Sequence, residues 1–304
     1  MQLLIDIVQN CLDGVMVGAS YALLGLGFAL IFGVLRRLNL AFGPVILVGV
    51  FTGSTVQSLW PQQPLLVFPV TVGMTMIAGM YVERLCFRAI RQDAILASMV
   101  SSFAIWMQLE ELVLQSPWSQ TYTYPFRPPF EMGALEIAPF FIRVDYLLMW
   151  GAAVVLMLVL YGFIYRTRFG RTMRAVAHNA HAARVLGLNV HRVGFQAFLL
   201  ASAIGGCAGY FIAISQQQVT PYFGLWATIK GLIVMIIGGM GSLPGALVGG
   251  MILGVVEIQT DWFLGSQYRE LVAYALLFAF LIVKPGGLFG APGGEDWAAN
   301  TERA

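Results

Sequence analysis

Only two lysines stand in the 304 residues, Lys230 followed by glycine and Lys284 followed by proline. A P-loop needs its lysine followed by Ser or Thr, so the chain has no Walker A phosphate cradle. Neither HExxH nor GxSxG occurs, which removes the zincins and the nucleophile-elbow hydrolases. The three cysteines, Cys11, Cys86 and Cys207, are odd in number, far apart and without CxxC spacing. They read as small apolar residues rather than as disulfides or metal ligands. Charge is scarce as well: Asp, Glu, Lys and Arg make up 11% of the chain, against about 25% in a soluble domain. An ordinary soluble globule is thereby excluded.

Apolar residues fill the space, at 59%, in runs that reach the roughly 20 residues a spanning helix needs. The short alternating segments of a β-barrel are absent. The fold class is an all-α polytopic membrane protein of about eight or nine transmembrane helices. Spans are predicted near 13–35, 39–58, 65–83, 94–115, 145–165, 194–215, 225–239, 243–260 and 268–284. The seventh and eighth are short or glycine-broken: 225–260 is either two spans or two half-helices that dip and return. Residues 13–290 form the membrane domain, preceded by segment 1–12 and followed by a tail, 291–304. The start, MQLLIDIVQNCLDG, has no basic residue and carries Asp6, unlike a signal peptide. Its apolar residues recur at helical spacing, as in an amphipathic surface helix or, equally, a frayed terminus.

The few charges are placed unevenly. Arg36, Arg37, Arg84, Arg88, Arg91, Arg166, Arg168, Arg171, Arg174, Arg184, Arg192, Lys284 and Arg303 fall on one side of the predicted spans. Arg127, Arg143 and Arg269 fall on the other, a split of thirteen to three. The positive-inside rule makes the first side cytoplasmic, with the N-terminus outside and the C-terminus inside. Loop 166–192 is then the largest cytoplasmic loop and 116–144 the long external one. The external loop is rich in proline and aromatics, including Trp118, Tyr122, Tyr124, Phe126 and Phe130. That composition predicts ordered irregular structure, either a contact for an external partner or a lid over helix ends.

Gly14/Gly18, Gly205/Gly209, Gly245/Gly249 and Gly250/Gly254 are GxxxG pairs, as expected where close backbone approach drives packing in lipid. GGMGSLPGALVGG, 238–250, cannot sustain a regular helix through its first half. It reads as a tight turn at the cytoplasmic surface, with gating as the alternative. Lys230 and Glu257 would each cost roughly 2.5–3.5 kcal/mol or more if unpaired at mid-membrane. They read as a structural ion pair, or as groups facing water. Ser20, Tyr21 and Asn39 offer neutral hydrogen bonds near a translocation path. Glu110 and Glu111 read as reaching headgroups.

All three histidines, His178, His181 and His191, lie in RAVAHNAHAARVLGLNVHRV, 174–193. A zinc site would want a fourth ligand, and no Cys or carboxylate is near in sequence. The segment reads as a helix–turn–helix whose small residues, Ala182 and Ala183 among them, give a flat surface that inserts into a groove of another protein. Gly187 stops the helix. The alternative, a helix lying on anionic headgroups, explains the arginines but less well the alanines.

The same segment resembles the coupling loop of ABC importer permeases, Glu-Ala-Ala, three residues, then Gly. Here it reads His181-Ala182-Ala183, three residues, then Gly187, with His181 in place of the acid. Residues 18–43, GASYALLGLGFALIFGVLRRLNLAFG, look like the first two spans of the branched-chain amino acid permease family of LivH type. ERLCFRAIR at 83–91, TIKGLIVMIIGGMGSLPGALVGGMILGVVE at 228–257 and PGGLFG at 285–290 are similar to later parts of that family, in family order. One departure is Asn39-Leu40-Ala41-Phe42-Gly43-Pro44, where the family reads Asn-x-Ala-His-Gly-Glu. If that corner borders the path, a larger or more apolar solute is implied.

The resemblance implies the permease subunit of an ABC importer in the bacterial inner membrane. The implied cargo is a branched-chain amino acid or a related small organic solute. It implies a second permease, similar or identical, two ATPase subunits inside and a solute-binding protein outside, with lipid around it and no nucleic acid. The chain would not be an enzyme and would bind no cofactor or metal; ATP and Mg would be used by the partner subunits. Arg174, Ala182, Ala183, Arg184 and Gly187 would couple to the ATPase. Ser20, Tyr21, Asn39, Phe42, Lys230 and Glu257 are the path candidates. A gradient-driven transporter or channel is the rival reading, and it would more naturally carry paired membrane carboxylates.

Overall fold

The computed structural model describes residues 2–89, 95–116, 124–128, 134–137 and 140–290. The tail 291–304, Arg91, Trp118, Tyr122 and Phe130 lie outside the described residues.

The architecture is helical and runs back and forth between two ends. Helix α1, Gln2–Leu35, is followed by α2, Phe42–Leu59, and α3, Val67–Val82. A π-helical turn, Glu83–Arg88, extends α3 before α4, Ile95–Leu114. After the external loop come α5, Val144–Arg166, and two short helices, α6, Arg168–His178, and α7, Ala180–Val185. Helices α8, Val190–Gln216, α9, Phe223–Gly238, α10, Leu243–Phe263, and α11, Arg269–Val283, complete the chain. Seven helical segments among the described residues are long and apolar enough to cross a membrane: α1, α2, α5, α8, α10, α3 counted with its flanking turns as Pro64–Arg88, and α11 counted with its preceding turn as Ser266–Val283. Helix α9, at 16 residues without such extensions, is shorter.

Residues 2–12 are the first turns of α1, continuous with the span. At about 1.5 Å per residue, its 34 residues reach beyond a hydrocarbon core of about 30 Å. The projecting end is held: Gln9 donates to Asp13 and to the backbone carbonyl of Phe141.

The glycine pairs lie where helices touch. A Cβ on Gly18 would fall 2.5 Å from the carbonyl oxygen of Gly250, and one on Gly14 would fall 2.5 Å from Cα of Val255. Gly254 approaches Gly18 in return, so the two GxxxG ridges of α1 and α10 face each other. Gly249 packs on Val234 and Gly238, joining α10 to α9, and Gly205 and Gly209 receive Phe42 and Ile46 of α2. Burial from water drives nothing inside a bilayer, so this backbone proximity is what holds the helices together.

Helices α9 and α10 are unbroken; the glycine-rich break between them is a turn at one end. Gly239 and Gly241 take φ of +109° and +84°, and Ser242 caps α10 by accepting from the Gly245 amide. The PGGLFG segment closes over this turn. Leu288 N–H donates to the Ile237 carbonyl at 2.8 Å and Phe289 N–H to the Gly238 carbonyl at 3.0 Å. Two of the carbonyls that a helix end leaves without partners are thereby satisfied.

At the opposite end lie two small antiparallel sheets. Strand β1, Tyr124–Pro125, pairs with β4, Gln218–Val219, and β2, Ala134–Ile137, pairs with β3, Phe140–Arg143. Two aromatics of the external loop, Tyr124 and Phe126, pack down onto the helices. Both are buried, Tyr124 edge-on to Phe51 and Phe126 edge-on to Tyr210.

Candidate coupling surface and membrane charge network

Three capped helix starts order the segment 167–190. The Thr167 hydroxyl accepts from Gly170 N–H, Asn179 Oδ1 from Ala182 N–H at 2.9 Å, and Asn189 Oδ1 from Arg192 N–H at 3.0 Å. Each cap satisfies one amide that the helix cannot. Gly187, at φ +82°, closes α7. Its N–H donates to the Arg184 carbonyl, and Leu188 N–H donates to the Ala183 carbonyl. A left-handed residue at this position is the usual way to end a helix.

The alanines separate on the folded segment. Ala182 faces outward, whereas Ala183 is 2% exposed and packs on the body. Val185 and Leu186 beside them are 77% and 80% exposed, so the outer face of α7 is a bulkier apolar knob than flat alanine surface. Arg174 lies with its guanidinium 4.8 Å from the Tyr165 ring centre, within cation–π range. Arg184 and all three histidines line a cavity between this segment and the end of α1. Among the described residues no group of three His, Cys, Asp or Glu side chains is placed to hold a metal.

Lys230 and Glu257 form the anticipated pair. Lys230 Nζ donates to Glu257 Oε1 at 2.5 Å and to Glu270 Oε2 at 2.9 Å. Arg269 Nε donates to Glu257 Oε2 at 2.9 Å, and the Tyr21 hydroxyl donates to the same oxygen at 2.8 Å. The phenol oxygen accepts in turn from Arg269. Two cations face two carboxylates, so the cluster of α1, α9, α10 and α11 is neutral. Glu257 and Lys230 are sealed inside, while Arg269 and Glu270 reach its exposed edge. Sequence alone puts Arg269 at the external end of the last predicted span and gives Glu270 no role. Their signal is adjacent opposite charges at the first turn of an apolar helix.

Beside the cluster lies a cavity of about 330 Å³ lined by Ser20, Tyr21, Trp226, Asp261, Arg269 and Glu270, among others. Ser20 and Tyr21 thus border a cavity, although the Ser20 hydroxyl is bonded to the Val17 carbonyl. Asn39 and Phe42 belong instead to a buried corner. Asn39 Oδ1 accepts from Ala41 N–H, and the Thr228 hydroxyl accepts from Gly43 N–H. The Asn39 Nδ2 atom is buried without a partner among the described residues. Phe42 is fully buried, edge-on to Phe28 and wedged against Gly27 and Gly205. It lines neither cavity; its ring fills the space those glycines leave.

The sequence is similar to known proteins along most of its length. The family described as "Branched-chain amino acid transport system / permease component" matches residues 10–281. The chain is 30% identical over 295 residues to the high-affinity branched-chain amino acid transport system permease protein LivH of Escherichia coli, covering 94% of this chain and 96% of LivH. It is 31% identical over 137 residues to the permease protein LivM of the same organism, covering 44% of this chain and 32% of LivM. Among solved structures, PsaBC from Streptococcus pneumoniae in complex with Fab superposes with a TM-score of 0.49 and 11% identity, over 90% of this chain and 91% of that one. With the match of 10–281 spanning nearly all of the membrane domain, the chain belongs to the branched-chain amino acid transport permease family.

Proposed function

We propose that this chain is the permease subunit of an ATP-driven importer of branched-chain amino acids or a chemically related small solute. It forms half of the translocation path beside a second permease, similar or identical. The arginine-rich end faces the cytoplasm and receives two ATPase subunits, which use ATP and Mg. The end carrying the external loop receives a solute-binding protein. The setting is the bacterial cytoplasmic membrane, with the N-terminus outside and the C-terminus inside. The observation that carries the reading is the capped segment 167–190, which holds Val185 and Leu186 out from the body beside Ala182 and Gly187. An apolar knob on a rigid short helix suits insertion into a groove of a partner.

A gradient-driven transporter would more naturally carry paired membrane carboxylates for ion coupling. Glu257 is instead held by Lys230, Arg269 and Tyr21, which favours the ATP-driven reading. The test is uptake of radiolabelled leucine by vesicles holding this chain with its companion subunits. Uptake that requires ATP is expected; full-rate uptake without nucleotide, abolished by an uncoupler, would overturn the reading.

A further inference from the structure

A cavity of about 430 Å³ lies at the arginine-rich end, between the end of α1, the π-helical turn after α3, the α6–α7 corner and the start of α8. Its size is within the range of small-molecule sites. Three chemically distinct walls meet in it. Val34, Phe87, Val176 and Val190 give a buried apolar side. Arg36 and Arg184 give a cationic side. Glu83 is 4% exposed, and its Oε2 is buried with no hydrogen-bond partner among the described residues.

Two features mark the cavity as built. Arg36 has φ +51°, a left-handed conformation uncommon for a residue with a side chain. In that conformation its Nε donates across to the Ala177 carbonyl of α6 at 3.2 Å. Glu83 opens the π-helical turn Glu83–Arg88, and such turns recur at functional sites. A buried carboxylate oxygen lacking a donor is costly, and the apolar wall cannot supply one. A simple anion would suit the arginines but oppose Glu83; a simple cation would do the reverse. A zwitterion carrying both charges and an aliphatic side chain satisfies all three walls.

We propose that this cavity binds a free branched-chain amino acid from the cytoplasmic side. The ammonium donates to Glu83, the carboxylate meets Arg36 and Arg184, and the side chain packs on Val34, Phe87 and Val190. The inference rests on the importer reading above. The ligand bridges the body of the permease to the coupling segment, because Glu83 and Arg36 belong to the body and Arg184 to α7. Accumulated product therefore resists movement of that segment and slows the transport cycle.

The experiment uses the complete transporter in proteoliposomes whose ATPase faces the bath, with the solute-binding protein in the lumen. Leucine added to the bath is expected to slow ATP hydrolysis. On the unmodified protein, 4-methylpentanoate, which lacks the ammonium, and 3-methylbutylamine, which lacks the carboxylate, should each need at least about tenfold higher concentration. Glu83→Gln should raise the half-inhibitory leucine concentration about tenfold. Hydrolysis indifferent to bath leucine, 4-methylpentanoate as potent as leucine, or unchanged inhibition in E83Q would each overturn the site. Loss of ATP-driven transport in the unmodified system would instead overturn the importer reading, so the two failures are distinct.

Discussion

Lys230 Nζ lies 2.5 Å from Glu257 Oε1, with both side chains sealed from solvent. In a low-dielectric interior such a pair is stable only because each charge has the other, together with further partners. Here those partners are Arg269, Glu270 and Tyr21. Removing one member leaves the other buried with its set of partners incomplete: Lys230 keeps only Glu270, and Glu257 keeps Arg269 and Tyr21. Lys230→Met and Glu257→Gln should each destabilise the protein by about 3–5 kcal/mol. The double substitution should be less damaging than their sum, with a coupling of about 1–3 kcal/mol. Thermal melts of the four proteins in detergent measure it; strictly additive losses would contradict the pairing.

The α1–α10 contact admits no side chain at its centre. Gly18→Leu should prevent stable folding or lower stability by several kcal/mol, because its Cβ would meet the Gly250 backbone. Gly73→Leu on α3 should be tolerated, since a Cβ there meets nothing within 4 Å. Comparing yield and melting temperature of the two variants decides the point: equal losses would show that glycine content, rather than this contact, is what matters.

The exposed knob of α7 makes a separable prediction. Leu186→Asp should leave melting temperature unchanged, since Leu186 is 80% exposed, yet abolish co-purification of the ATPase. Gly187→Trp adds backbone strain of about 1–2 kcal/mol at φ +82°. It should still insert in the membrane but uncouple ATP hydrolysis from uptake. ATPase retention by L186D together with normal uptake by the Gly187 variant would remove this surface from the interface.

Two neighbouring glycines in the closing segment should behave differently. Gly287 has φ +75° and a Cβ there would strike Gly239, whereas Gly286 has open space. Gly287→Ala is expected to lower the melting temperature by several degrees and Gly286→Ala by little. Equal effects would argue against the closing segment as a clasp on the α9–α10 turn.

Much of this was legible in the residues. Apolar runs located the spans, and the thirteen-to-three split of basic residues separated the two ends. Lys230 and Glu257 were legible as a pair because Lys230 is the one lysine deep within a predicted span, Lys284 standing at the end of the last. Other features were not legible. Arg269 and Glu270 sit at a span border, where charges ordinarily face water, so nothing in their spacing announced partners on α9 and α10. Ala182 and Ala183 are neighbours of one type, and only packing on the body sends one outward and the other inward. The fit of the Phe42 ring between Gly27 of α1 and Gly205 of α8 has no counterpart in sequence spacing.

By itself, the sequence determined that this is a bundle of membrane helices, roughly where its spans lie, and which loops hold the basic residues. Those features are local: in lipid every backbone amide must be satisfied within its own helix, so length and apolarity suffice. Tertiary structure alone decided which glycines meet, how the buried charges neutralise one another and where the two cavities open. Such relations act through space between distant segments, as between Tyr21 and Glu257, 236 residues apart, and no spacing along the chain encodes a distance across it.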